Sequence, residues 1–165
     1  AEMIKIVPPF ERLKYDEALG ILHKKKSEIK WGDDLGTEDE RVLTAERTVP
    51  IFITHYPKAI KAFYMKEDPD NPKLVKNNDC LAPEGYGEII GGSQREEDVD
   101  KLIARLKEDG ADVSAYEWYL DLRRYGSVPH SGFGLGMERL VRWVCKLEHI
   151  RDAIPFPRVM NRSHP

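Results

Sequence analysis

The sequence has 165 residues, 41% of them hydrophobic and 33% charged, with a formal net charge of −3. This is the composition of an ordinary globular chain, sized for a single domain with a sizeable core, and it excludes a disordered or low-complexity one. A pI near 6.0 excludes a general basic field, so contact with nucleic acid would need a local patch or a segment outside these residues.

The opening "MIKIV" (3–7) alternates like a short strand and is stopped by Pro8 and Pro9. "YDEALGILHKKK" (15–26) predicts a helix, with Asp16 and Glu17 in its first turn and Lys24 to Lys26 where the dipole favours cations. "WGDDLGTEDERVL" (31–43) predicts a polar turn leading into a short helix. "TVPIFITHYP" (48–57) reads as a buried strand and "AIKAFYM" (59–65) as another. "KEDPDNPKLVKNND" (66–79) is rich in Pro, Asp and Asn, which marks an exposed hairpin connection.

"CLAPEGYGEIIGGSQ" (80–94) predicts a strand, a turn at Pro83 to Gly85, and a return strand interrupted by Gly91 and Gly92. From Glu96 the period changes: Val99, Leu102, Ile103 and Leu106 fall at helical spacing and Gly110 is placed to cap. "AYEWYLDLRRYG" (115–126) is a second helix, "SGFGLG" (131–136) a strand, and "MERLVRWVCKLE" (137–148) a helix burying Leu140, Val144 and Leu147. The close from Ile150 is too proline-rich for regular structure. Hairpin-like connections with grouped helices predict an α+β fold, an antiparallel sheet flanked by helices.

Cys80 and Cys145 show no metal-ligand spacing, which argues against zinc and fits a reducing compartment, with both expected as small buried hydrophobes. No apolar run approaches the roughly 18 to 20 residues of a membrane span, and the N-terminus lacks a signal-peptide layout, so the expected localisation is cytoplasmic.

Two segments could carry chemistry. In "GEIIGGSQRE", Glu88 and Arg95 frame a glycine-bearing strand, so a carboxylate able to hold Mg²⁺ and a guanidinium able to grip an oxygen could share one cleft. The same residues also fit a surface ion pair beside a β-bulge. In "SGFGLGMER", Gly132, Gly134 and Gly136 leave room for a flat ligand, and Arg139 could stack on a base or meet a phosphate. Tight strand–helix packing would also use such glycines, and His130 alone fits a structural histidine. Neither the phosphate-loop pattern nor the dinucleotide fingerprint is present, and no nucleophile triad is defensible.

"GFGLGMERL" resembles motif 3 of the class II aminoacyl-tRNA synthetases. "WYLDLRRYGSVPHSGFGLGMERL", "GEIIGGSQRE", "YPKAIKAFYM", "WGDDLGTEDE" and "IPFPR" resemble, in order, the archaeal and eukaryotic asparaginyl type within the subclass shared with the aspartyl enzymes. The resemblance implies the class II catalytic core and a ligase that activates asparagine with ATP and Mg²⁺, then transfers it to tRNA. It implies that Glu88 holds ATP through Mg²⁺, with Gly91 and Asp79 also at the metal, and that Glu88 and Arg139 act in catalysis. Arg95 would grip the amino-acid side chain, and Gly91, His130, Ser131 and Gly132 would line the substrate pocket, with Lys61 a further candidate. Gly136, Met137, Glu138 and Arg139 would form the ATP-binding turn.

It covers the C-terminal portion of the catalytic domain over residues 1–165, with motif 3 at about 131–145. The anticodon-binding domain, motif 1 and motif 2 find no counterpart here, and full-length members imply a homodimer. Losing the motif 2 arginine, a stabiliser worth roughly 3 to 4 kcal/mol, would leave these residues a poor enzyme by themselves. An aspartate-activating relative and a non-catalytic fragment remain open.

Overall fold

Short runs of β-branched and apolar residues, separated by acid-capped helices, arrange the chain as one mixed layer structure. The computed structural model describes residues 6–161. Among these, five strands form one sheet in chain order: β1 (Glu11–Lys14), β2 (Ile51–Thr54), β3 (Asn77–Ala82), β4 (Gly87–Gln94) and β5 (Ser131–Leu135). β2 to β5 pair antiparallel, as expected, whereas β1 lies parallel to β2. A parallel neighbour requires a crossover, and α1 (Tyr15–Lys24) and α2 (Thr37–Thr44) supply it. The strand expected at 3–7 falls largely outside the described residues, and Ile6 and Val7 lie in no strand.

α1 and α3 begin where side chains accept from free N–H groups at the helix start. Glu17 accepts from the Lys14 N–H at 2.7 Å, so β1 runs straight into α1. Asp98 accepts from Asp100 and Lys101 at 2.9 and 3.2 Å at the start of α3 (Val99–Glu108), and Gly110, at φ 69°, closes its end. α4 (Glu117–Arg124) ends before Gly126.

The two faces of the sheet are covered differently. Leu13, Ile51, Ile53 and Leu81 face Ala18, Leu19 and Leu22 of α1 and Leu43 of α2. On the other face Cys80, Ala82 and Ile89 pack on Trp143 of α5 (Met137–Val144). A third cluster joins Leu102 and Leu106 of α3 to Leu120 of α4.

That third cluster explains one departure from expectation. "AIKAFYM" is no strand: a 3-10 turn (Lys58–Ile60) leads into irregular chain that touches β4 through a single bridge, Met65 to Arg95. Phe63 instead stands edge-on to Tyr116 and Tyr119, at 5.1 and 5.6 Å between centroids, and that packing replaces strand pairing. The following loop folds on itself through bridges Pro57–Leu74 and Glu67–Val75, and Asn77 to Asp79 belong to β3, not to a connection.

β4 runs unbroken through Gly91 and Gly92. α5 stops at Val144, which is 52% exposed, and Trp143 takes the buried position; Leu140 and Leu147 are half-buried. Cys80 is buried as expected, but Cys145, just past the helix end, is exposed. A 3-10 turn (Ile150–Ala153) stands in the proline-rich close.

Leu106 is almost fully buried at the α3–α4 contact. Leu106→Ala is expected to cost roughly 2 to 5 kcal/mol, seen as a lower denaturant midpoint at unchanged slope in chemical unfolding.

Candidate active site

Along a regular strand, residues three apart face opposite sides of the sheet. β4 departs from this: Cys80 pairs with Ile90 and Leu81 with Glu88, leaving Ile89 without a partner on β3. This bulge turns Ile89 and Ile90 toward the Trp143 cluster and brings Glu88 and Gly91 to the opposite face together. A Cβ on Gly91 would lie 2.9 Å from Glu88 Oε1 and 3.6 Å from Asp79 Oδ1, so only glycine leaves the space between the two carboxylates open. Gly134 pairs with Gly91, and no atom lies within 4 Å of where its Cβ would be.

These residues floor a cavity of about 490 Å³ whose walls include Lys61, Tyr64, Met65, Gly92, Arg95 and Phe133. Lys61 Nζ reaches Asp79 Oδ2 at 3.1 Å and Asp34 Oδ1 at 3.3 Å and lies over the Tyr56 ring. Burial opposes its charge, but the two aspartates outweigh burial and hold the ammonium above the ordinary lysine range. Arg105 of α3 fixes the turn that carries Lys61, donating to the carbonyls of Lys58 and Lys61 at 3.2 and 3.1 Å.

Arg95 enters from the end of β4. Its guanidinium lies 4.5 Å over the Tyr64 ring and donates to Ser93 Oγ at 2.7 Å. A Cβ on Gly132 would come within 2.9 Å of Arg95 Nη2. The alternate glycines therefore do different things: Gly132 admits Arg95, Gly134 opens the cleft, and a Cβ on Gly136 would meet the aliphatic part of Arg139 at 3.2 to 3.4 Å.

Arg139, in the first turn of α5, donates to the Glu88 carbonyl at 2.7 Å. It lines a neighbouring cavity of about 230 Å³ with Glu40, Tyr86, Arg142 and His149. Burial pushes the Glu88 carboxyl up, and Asp79 adds to this, against Arg139 and Lys61. The Glu40 carboxyl is likewise raised by burial, with Glu88 contributing.

The structure thus brings Asp79, Glu88, Gly91, Arg95 and Lys61 to one cavity, with Arg139 beside it. It does not bring His130 or Ser131 there: His130 is exposed with Nδ1 2.8 Å from the Val128 carbonyl, and Ser131 lines a cavity with Phe52 and Ile90, on the opposite face. Met137 and Glu138 are exposed at the start of α5. Sequence reasoning missed Tyr64, Asp34 and Glu40. Glu40 carried a signal in lying on the same predicted helical segment as the acids of "TEDE", but nothing local says which of them turns inward. Among the described residues no group of three or more His, Cys, Asp or Glu side chains could hold a metal unaided.

A family model described as tRNA synthetases class II (D, K and N) matches residues 1–160. The chain belongs to that family. Among the curated members of the class II synthetases, the asparagine–tRNA ligase of Thermococcus gammatolerans is 64% identical over 159 residues, covering 96% of this chain and 37% of that protein. The solved asparaginyl-tRNA synthetase of Pyrococcus horikoshii complexed with asparaginyl-adenylate is 65% identical at a TM-score of 0.92, over 96% of this chain and 36% of that one. An aspartyl-tRNA synthetase from Entamoeba histolytica is 33% identical at a TM-score of 0.87, over 97% of this chain and 34% of that one. The chain therefore spans a little over a third of the length of the curated synthetases it matches.

The raised Glu88 carboxyl has a measurable consequence. A carboxyl whose folded pKa lies above its unfolded one, near 4.5, holds its proton more tightly in the folded state. Its ionisation then opposes folding increasingly as pH rises from the unfolded pKa through the folded one. Glu88→Gln is expected to raise the Tm relative to the unsubstituted chain at about pH 7 to 8, with the gain vanishing below about pH 4, as read by thermal unfolding across pH.

Proposed function

We propose that this chain is the C-terminal part of the catalytic domain of an asparagine–tRNA ligase, with motif 3 at about residues 131–145. It would take part in activating asparagine with ATP to the adenylate and in passing the asparaginyl group to tRNA. The observation that carries the reading is the meeting of Glu88, Asp79 and Arg95 around the Gly91–Gly134 floor. The identity of 64% to a relative named asparagine–tRNA ligase, and the modest preference for the asparaginyl over the aspartyl structure within Entamoeba histolytica, 39% against 33%, support asparagine over aspartate.

The electrostatics favour nucleotide with a cation. Glu88 and Asp79 would repel a bare triphosphate, and the Gly91 gap between them is a cradle of hard oxygen donors. Glu88 and Asp79 would hold Mg²⁺ together with phosphate oxygens, since Mg²⁺ is usually bound through one or two carboxylates plus substrate phosphates. When bound, Mg²⁺ would neutralise charge on the phosphates. The protein's own part is positional. Arg95, held flat by Tyr64 and Ser93, offers its remaining donors to the side-chain oxygen of asparagine, and Arg139 offers a cation beside Glu88 for the nucleotide. The adenylate forms when the asparagine carboxylate attacks the α-phosphorus and pyrophosphate leaves. tRNA, a homodimeric assembly and a cytoplasmic setting follow from the same reading, the last consistent with two free cysteines. No helix among the described residues is long and apolar enough to cross a membrane.

Amino-acid-dependent pyrophosphate exchange tests this. Weak exchange, well below that of a complete ligase because the motif 2 arginine finds no counterpart here, is expected with asparagine and not aspartate; exchange with aspartate instead would assign the aspartate-activating reading. No exchange with either from a folded chain that still binds ATP would assign a nucleotide-binding role without catalysis. Arg95→Ala is expected to weaken asparagine binding by about ten- to a hundredfold, the worth of hydrogen bonds to a charged group, while ATP affinity holds in direct titration.

A further inference from the structure

Glu88 is held by its backbone at both ends. Its N–H donates to Glu40 Oε2 at 3.0 Å, and its carbonyl accepts from Arg139 Nη1 at 2.7 Å. The first contact depends on Gly87: at φ 79° and without a side chain, it lets the Glu40 carboxylate approach where a Cβ would lie only 2.6 Å from Oε2. Glu40 is itself fixed on α2, whose Leu43 and Thr44 are buried and whose Asp39 accepts from the Gly36 N–H and from Ser27 Oγ. Thr44 Oγ1 donates to the Glu40 carbonyl at 2.7 Å.

We propose that Glu40 is a positioning residue for Glu88, fixing from α2 the peptide whose side chain faces Asp79 and Gly91, and thereby governing the Mg²⁺-dependent part of nucleotide binding. This rests on the functional reading above. The direction of a side chain follows from the position of its own Cα and peptide. The peptide N–H of Glu88 emerges next to the bulge, where the β3–β4 ladder is irregular and restrains it least. A carboxylate acceptor from another element replaces that missing restraint. Glu40 touches neither the gap over Gly91 nor the 490 Å³ cavity; it reaches the site through the Glu88 peptide, and it shares the smaller cavity with Arg139.

The test compares Glu40→Ala and Glu40→Gln with the unsubstituted chain. The readouts are the affinities for ATP with Mg²⁺ and for adenosine without metal, and amide hydrogen exchange at Glu88. Removing the acceptor in Glu40→Ala is expected to weaken Mg²⁺·ATP binding about tenfold and to speed Glu88 exchange about tenfold, the scale of one such hydrogen bond. Adenosine affinity should change less than about twofold. Glu40→Gln, which keeps an acceptor, should recover most of both losses. Equal Mg²⁺·ATP affinity in Glu40→Ala, or parallel losses for adenosine and Mg²⁺·ATP, would overturn the proposal, the latter marking a merely structural residue. If Glu40→Ala fails to fold, Glu40→Asp, one methylene short, should show the same selective loss, and its absence would overturn the proposal equally. Should the unsubstituted chain bind neither nucleotide, the functional reading fails, and with it the tie to Mg²⁺; Glu88 exchange then still shows whether Glu40 anchors the peptide.

Discussion

The site rests on one extra residue in β4. Glu88 and Gly91 are three apart, and only the unpaired Ile89 lets both face the same side of the sheet while two isoleucines fill the other. Remove the bulge, and either Glu88 would point into the Trp143 cluster or Gly91 would leave the gap beside Asp79. The apolar pattern of "EIIGG" enforces the choice, because burying Ile89 and Ile90 together is favourable and burying a carboxylate among them is not. The core thus selects the geometry that the chemistry needs.

Around that bulge the charges are arranged against stability. Carboxylates at 40, 79 and 88 raise the cost of ionisation, and Lys61 and Arg139 offset it only in part. Buried arginines hold the surrounding turns: Arg105 ties the Lys61 turn to α3, and Arg123 of α4 donates to the Glu96 carbonyl at 3.1 Å, next to Arg95. Both act through backbone carbonyls, so the turns are fixed whatever the charge state of the cleft. A site preorganised in this way presents uncompensated negative charge that, on the proposed reading, a cation and its nucleotide would complete.

Much of this was legible in the sequence, where period and caps were strong. The 3.6-residue pattern from Val99, with Asp98 before it and Gly110 after it, fixes α3 closely. Glu88, Gly91 and Arg95 were visible as polar and glycine positions that an ordinary strand would not choose. β1 was not legible: "ERLK" has one buried side chain and is a strand only because β2 pairs with it. "AIKAFYM" has the composition of a strand, but its aromatic residues are claimed by α3 and α4, a contact no local window reveals. His130 and Ser131 are pocket residues by resemblance alone; in the structure the His130 carbonyl accepts from the Arg95 N–H at 2.9 Å while its side chain sits in an exposed turn, and Ser131 lines the cavity with Phe52 and Ile90. Glu40 was hidden because its partner lies 48 residues away.

On the proposed reading, metal-bound nucleotide settles on the bulged face of β4 and not on the other face of the sheet. The most direct measurement is paramagnetic broadening of backbone amide signals by Mn²⁺·ATP in the isotope-labelled chain. The amide signals of Asp79, Glu88, Gly91 and Gly134 are expected to broaden first, while those of Ser131 and Phe52 on the opposite face persist. Broadening centred on the Phe52–Ser131 face, or spread evenly over the surface acids, would contradict it.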